Sequence, residues 1–264
     1  MKIGFIGCGN MATAMLKGIL KSGEVKNADI IASAKSDKTR EKIEKELGIQ
    51  KADTNAQVVD FADVVFLAVK PQFLEEVLDE IKDNVKEGQI FISIAPGKTL
   101  QWLGEHLGEG TKIIRTMPNT PAMVGEGMTA LCVNEQVTEQ ETLLAVTLCN
   151  TFGKTEVIPE RLMDVVVGVS GSSPAYVFMF LEAMADAAVA DGMPRAQAYK
   201  FAAQAVLGSA KLMLETGKHP GELKDMVCSP AGTTIQAVRV LEEKGLRSAV
   251  IEAQMECVKK AKGM

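Results

Sequence analysis

The stretch KIGFIGCGNMATAM, Lys2 to Met15, decides how the chain is read. A short apolar run ends at Ile6, a helical pattern opens near Met11, and Gly7-x-Gly9-x-x-Ala12 lies between them. The glycines permit a tight turn and a close backbone approach, and the small Ala12 lets the helix pack on the strand. The helix start then offers free N–H groups and a positive dipole end to a pyrophosphate. Glycine-rich turns are common, so the dinucleotide reading depends on what surrounds this one.

Beyond this turn the chain repeats α/β units. The apolar runs KIGFI, ADIIAS, DVVFLAV, QIFISI and KIIRT alternate with helical patterns over Met11–Lys21, Asp37–Leu47, Gln72–Asn84 and Thr99–Leu107. Several runs are apolar on consecutive residues, as strands covered on both faces require. Strand, helix, strand at this spacing predicts a mainly parallel sheet. A further strand, MTALCV, precedes a helix opened by a capping box, Thr138 to Glu141, and KTEVI closes the α/β region near Pro159. From Val165 onward only long helical periods appear. The expected organisation is a Rossmann-like domain over residues 1–160 and an all-α domain over 161–264. The run AYVFMFLEAMADAAVA is apolar all round and must be buried. A bundle this small has trouble covering it alone, so a homo-oligomer formed through this half is expected.

The 264 residues are 47% hydrophobic with a net charge of −5, which argues for a folded core and against nucleic acid or an anionic membrane as partner. The five cysteines are scattered without CxxC, and His106 and His219 lie far apart, so no metal site is expected. A reduced, cytoplasmic, soluble protein fits this usage. The N-terminus outlines a secretory signal, but Gly4, Gly7, Gly9 and Asn10 break its apolar stretch. No apolar run is expected to reach spanning length.

The second strand bears on the coenzyme. A site preferring NAD ends this strand with Asp or Glu, to bind the ribose 2′-hydroxyl. Here IIASAKSDKTR has Ser33, Lys35 and Ser36 and no acid at the strand end, which suits a 2′-phosphate, with Arg40 as a second cation. The competing reading makes Ser36 a plain N-cap and Lys35 incidental. NADPH is therefore expected, with NADH used more weakly. The other strand ends, Ala68–Gln72, Ser93–Thr99 and Arg115–Gly127, are small, polar or shaped by Pro and Gly, as ligand-facing ends are.

Reducing a ketone needs a positioned acid or base. In the β-hydroxyacid dehydrogenases, which share this two-part layout, a Lys follows the turn into the second domain's first long helix. The comparable turn here, Gly168–Phe180, has no Lys, His or Asp. An imine changes the requirement: protonated by solvent, it accepts hydride without an ionisable catalytic residue, given orientation, a dry pocket and a hydrogen bond to nitrogen. Near the end of the chain, VCSPAGTTIQAV crowds Ser229, Gly232, Thr233 and Thr234 at a helix start that needs one cap.

GFIGCGNMA, AVKPQ, RTMPNTP, GVSGSSPAYV and HPGELKDMVCSPAGTTIQAV together resemble the pyrroline-5-carboxylate reductases, in order and over essentially the whole chain. The resemblance implies NADPH-dependent reduction of (S)-1-pyrroline-5-carboxylate to L-proline, and homodimers through the helical domain that assemble into decamers. It implies that Gly7, Gly9, Asn10 and Met11 hold the pyrophosphate, Ser33 and Lys35 the 2′-phosphate, and Asn55 the adenosine ribose. Ala68, Val69, Lys70, Pro71 and Ala95 would flank the nicotinamide half. Ser229, Gly232, Thr233 and Thr234 would form the substrate site, with the Thr234 hydroxyl at the ring nitrogen as the catalytic contact. Two positions depart from the family pattern: Ala231 and Ser173 stand where Gly is common. The rivals are a reductase of another cyclic imine acid and a non-catalytic nucleotide-binding regulator.

Overall fold

The computed structural model describes residues 1–263. Strand β1 (Ile3–Ile6) is buried along its whole length, as consecutive apolar residues require between two covered faces. It leads into α1 (Asn10–Ser22), whose Ala12, Met15, Leu16 and Ile19 are buried. The chain continues through β2 (Ile30–Ser33), α2 (Asp37–Lys45), β3 (Gln50–Lys51), α3 (Asn55–Phe61), β4 (Val64–Leu67) and α4 (Pro71–Ile81). Next come β5 (Ile90–Ser93), α5 (Leu100–Leu107), β6 (Lys112–Met117), β7 (Gly127–Val133), α6 (Glu139–Asn150) and β8 (Gly153–Val157).

The eight strands form one sheet in the order β3-β2-β1-β4-β5-β6-β7-β8. The mainly parallel sheet expected from the sequence is present, with β6 and β7 the one antiparallel pair. Residues 118–126 between those two strands are too few for a crossover helix and hold only a 3₁₀ turn, Thr120–Val124. Ile6 pairs with Ser33 on one side and Leu67 on the other, and Leu67 pairs with Ser93. The four strands therefore finish level, and Gly7, Ala34, Ala68 and Ile94 share one edge. On one face Phe5 and Phe66 stack at 4.5 Å; on the other, Ile6, Leu67 and Phe91 meet Leu74 and Leu78 of α4.

Two elements of the sheet-bearing half escaped the sequence reading, as did the short helices at Met163–Val166 and Pro220–Val227 farther on. β3 is two exposed residues, too short to show a pattern, and α3 is seven residues capped by the Thr54 hydroxyl, which accepts from the Gln57 N–H. The helix expected over Gln72–Asn84 starts instead at Pro71 and ends at Ile81, where Lys82–Asn84 tighten into a 3₁₀ turn.

After β8, α7 (Met163–Val166) widens into a π turn at Val167–Gly171. Then come α8 (Ser173–Ala190), α9 (Arg195–Thr216), α10 (Pro220–Val227), α11 (Thr233–Glu243) and α12 (Leu246–Ala261). By contacts the chain forms two compact units: Met1–Ser172 with the residues from Val258 onward, and Ser173–Cys257. The second unit has almost no core of its own. Among the described residues of these helices only Ala185 of α8 and Ala198 and Ala202 of α9 are buried, and α10, α11 and α12 bury none. Phe178, Met179, Phe201 and Leu214 are 65%, 69%, 68% and 84% exposed. The helical stretch Glu160–Ala190 is long and apolar enough to cross a membrane by length and composition, with 6% of its most apolar window buried. That corrects the expectation that no segment would reach spanning length.

Candidate functional site

Gly7 turns the chain with a φ of +92°. A Cβ there would lie 2.7 Å from the Ala68 carbonyl oxygen and 2.9 Å from Val69 Cγ1. Conformation and neighbours both demand glycine. Gly9 is different. Its φ is −74°, it stands as N-cap of α1 without a side-chain cap, and a Cβ there would meet nothing within 4 Å. The first turn of α1, with Asn10 exposed and Met11 half-buried, thus opens onto free space that any side chain at Gly9 would enter. Uncapped N–H groups behind a bare backbone fit a pyrophosphate.

Beside this turn runs a groove of about 390 Å³ lined by Cys8, Gly9, Asn10, Lys38 and Thr39 among others. Ser33, expected at a 2′-phosphate, is buried, and its hydroxyl donates to Asn55 Oδ1 at 2.6 Å. Asn55 opens α3, and Glu80 of α4 grips it twice: the side-chain amide donates to Oε2 at 2.7 Å and the backbone N–H to Oε1 at 3.2 Å. Lys35 is exposed, its ammonium 5.3 Å from the centre of the Phe73 ring. Ser36 does cap α2, accepting from the Thr39 N–H at 3.3 Å, so that part of the plainer reading is correct. Arg40 folds back and its Nε donates to the Ala34 carbonyl at 2.7 Å. Lys35, Lys38 and Arg40 therefore cluster at the start of α2, where Asp37 lies 3.8 Å from Arg40 and Glu41 and Glu46 also line the groove. The structure thus joins Ser33 to Asn55 rather than to Lys35. Glu80, Lys38 and Phe73 escaped the sequence reading, because pairings across different helices leave no local pattern.

The ends of β4 and β5 complete the edge. Ala68 donates its N–H to Ile6 at 2.8 Å, Lys70 is the N-cap of α4, and Pro71 takes the first helical position, where no N–H is needed. Ala95 is buried, its N–H donating to the Ser93 hydroxyl at 3.3 Å. Farther along, Asn119 clasps the turn after β6: its amide donates to the Ser170 carbonyl at 3.0 Å and its Oδ1 accepts from Met128 N–H at 2.8 Å. Arg115, buried, reaches Glu160 at 3.0 Å and Asp164 at 3.6 Å.

On the second unit, Gly232 is the N-cap of α11. No side chain caps this helix, and among the described residues the Ser229, Thr233 and Thr234 hydroxyls have no hydrogen-bond partner. A Cβ at Gly232 would lie 2.3 Å from Ser229 Oγ, so the glycine lets that hydroxyl stand against the backbone. Ala231 turns the chain with a φ of +56°, in the left-handed region that glycine enters freely. The departure from the family pattern thus falls on a strained position. Ser173 opens α8 in a region any residue tolerates.

Among the described residues no group of three or more His, Cys, Asp or Glu side chains could hold a metal ion. His219 caps α10, its Nδ1 accepting from the Gly221 N–H at 3.1 Å. Burial pushes the Cys132 thiol up to about 12, with the Glu160 charge adding and Arg115 opposing, and burial alone takes Cys149 to about 12. Neither is a thiolate at neutral pH.

Residues 2–97 match the family model described as NADP oxidoreductase coenzyme F420-dependent, and residues 160–264 the model described as pyrroline-5-carboxylate reductase dimerisation. A pyrroline-5-carboxylate reductase of Escherichia coli (strain K12) is 55% identical, over 98% of this chain and 97% of its own. Among solved structures, a pyrroline-5-carboxylate reductase from Coxiella burnetii superposes with a TM-score of 0.93 at 36% identity, covering 99% of this chain and 97% of the other. The Plasmodium falciparum pyrroline carboxylate reductase, with NADP bound, gives 0.89 at 29% identity, covering 100% and 97%.

Proposed function

The chain belongs to the pyrroline-5-carboxylate reductase family, and we propose that it reduces (S)-1-pyrroline-5-carboxylate to L-proline with NADPH, as the last step of proline biosynthesis in the cytoplasm. The observation that carries this reading is a helix start, at α11, crowded with hydroxyls that cap nothing, in a chain that also holds an open glycine turn at α1. Bound NADPH supplies the hydride. The protein's own tasks are to hold the coenzyme, to orient a protonated imine and to keep water out.

Gly7, Gly9, Asn10 and Met11 take the pyrophosphate at the first turn of α1. Lys35 takes the 2′-phosphate; Ser33, whose proton is committed to Asn55, acts through Asn55 at the ribose. Ala68, Val69, Lys70, Pro71 and Ala95 flank the nicotinamide half from the level strand ends. The first-turn N–H groups of Thr233 and Thr234 take the substrate carboxylate, which the helix dipole favours by about 0.3–1 kcal/mol, while the Gly232 N–H, donated to the Ser229 carbonyl at 3.1 Å, shapes the turn. Ser229 adds a donor to that carboxylate, and the Thr234 hydroxyl accepts from the iminium N–H. Positive charge already on the nitrogen removes the need for an ionisable acid, which fits a turn with none.

The division at 1–160 and 161–264 serves these two tasks, and the separate family matches over 2–97 and 160–264 support it. The second unit buries too little to stand alone, and a second copy covering α8 to α12 supplies what it lacks. A homodimer through this domain is the working assembly, and five such dimers form the decamer that the resemblance implies; light scattering measures both.

The test is direct. Purified protein is mixed with NADPH and pyrroline-5-carboxylate, and the loss of reduced-nicotinamide absorbance and the formation of proline are followed. Absence of proline at saturating coenzyme overturns the reading. A six-membered cyclic imine acid run in parallel, if turned over much faster, assigns the chain to that substrate instead.

A further inference from the structure

The three-residue relay Ser33–Asn55–Glu80 has a fixed polarity. A carboxylate only accepts hydrogen bonds, so Glu80 forces the Asn55 amide to turn its NH₂ toward α4. The amide oxygen is then left facing Ser33, and at 2.6 Å the hydroxyl must donate to it. Were the amide reversed, its oxygen would face the carboxylate at 2.7 Å, and both would be acceptors. The backbone N–H of Asn55, held by the other carboxylate oxygen, keeps the start of α3 in place beneath the amide.

The consequence lies at the coenzyme's adenosine end. With the Ser33 proton committed inward, what remains on Ser33 Oγ and Asn55 Oδ1 is lone pairs, and behind them stands the negative charge of Glu80. A ribose hydroxyl is a donor and fits such a corner. A 2′-phosphate is an acceptor and a dianion, and must be held from the other side by Lys35, Lys38 and Arg40. Resting on the coenzyme reading above, we propose that Glu80 is a positioning residue: by locking the Asn55 amide it keeps the ribose corner rich in acceptors and restrains the preference for NADPH over NADH.

Replacing Glu80 by Gln lets the relay reverse, since Gln can donate to Asn55 Oδ1, leaving the Asn55 NH₂ to donate to Ser33 and freeing the Ser33 proton for the phosphate. It also withdraws one negative charge. Dissociation constants for NADPH and NADH, read by nicotinamide fluorescence, should show the NADPH-to-NADH affinity ratio rising on the order of fivefold. Glu80→Ala should move the ratio in the same direction and serves if the Gln variant does not fold. In an Asn55→Ala background there is no amide to lock, and Glu80→Gln should shift the ratio by about twofold or less.

An unchanged or lowered ratio overturns the proposal. So does an equal shift with and without Asn55, which would make Glu80 a bare charge. Parallel weakening of both coenzymes with a fallen melting temperature would make it merely structural. A parent protein that binds neither coenzyme sinks the underlying coenzyme reading instead, a result separable from these.

Discussion

The two glycines of the first turn should fail in opposite ways when each is given a methyl group. At Gly7 the methyl must accept a left-handed backbone, which costs roughly 1–2 kcal/mol, and must displace atoms at 2.7 Å and 2.9 Å. Overpacking of that kind costs about 1–3 kcal/mol, offset by about 0.4–1 kcal/mol because alanine has fewer unfolded states to lose. Gly7→Ala should therefore destabilise by about 2–4 kcal/mol, a fall in melting temperature of roughly 4–16 °C for a chain of this length. At Gly9 the backbone angles suit any residue and the methyl enters open space. The small capping loss and the unfolded-state gain nearly cancel, leaving stability within about 1 kcal/mol of the parent. The methyl would, however, stand where a pyrophosphate must approach the helix start. Losing one or two charge-assisted hydrogen bonds, about 1.5–3 kcal/mol each, predicts a dissociation constant for NADPH at least about tenfold higher. Thermal denaturation by circular dichroism and fluorescence titration separate the two effects. A Gly9→Ala protein that binds NADPH like the parent would refute the placement of the pyrophosphate. A Gly7→Ala protein of unchanged stability would refute the contact geometry.

Lys35→Ala should weaken NADPH much more than NADH under the proposed 2′-phosphate role of Lys35; equal losses would leave it only its stack on Phe73. Thr234→Ala should lower turnover while leaving coenzyme affinity nearly intact, and an unaltered kcat would remove its hydroxyl from the imine. Ala231→Gly should relieve a left-handed alanine worth about 1–2 kcal/mol, less about 0.4–1 kcal/mol of unfolded-state entropy, and raise the melting temperature by a few degrees; a fall would mean that the φ of +56° is not strained. Cys132 and Cys149 keep their protons in the folded state to about pH 12, whereas the unfolded thiols ionise from about 9. The folded state then holds more protons than the unfolded one, so stability should fall as pH rises from 9 towards 12. A double Cys132→Ala, Cys149→Ala variant should lose part of that slope in melting curves taken across the window, and an identical slope would show that other groups cause it.

Local patterns were legible, and pairings across distance were not. β1, β2, β4 and β5 announce themselves because both faces are covered, so apolar residues run consecutively up to the strand ends. β3 and α3 are too short for any period to show, although Thr54 supplies a proper cap. Ser33 illustrates the limit well. Its position at a strand end makes it a candidate ligand contact, but the partner that takes its proton sits 22 residues further on, and Glu80 a further 25 beyond that. Nothing in the order of residues links Glu80 to a nucleotide.

The crowded start of α11 is the converse, a local pattern that the order of residues displays directly. Ser229, Thr233 and Thr234 are all natural capping residues, and a helix that used one of them would leave the others as ordinary polar surface. In the structure it uses none: Gly232 caps with its backbone only. Three hydroxyls and the free first-turn N–H groups thus stay unspent on an exposed helix start, beside a strained Ala231 that holds the turn open. Strain of that kind persists where the surroundings over-determine it. A turn that needed only to begin a helix would relax by moving Ser229 or Thr233 into the cap. Since it does not, the unspent donors support the carboxylate site proposed above, a carboxylate being what an imine acid carries.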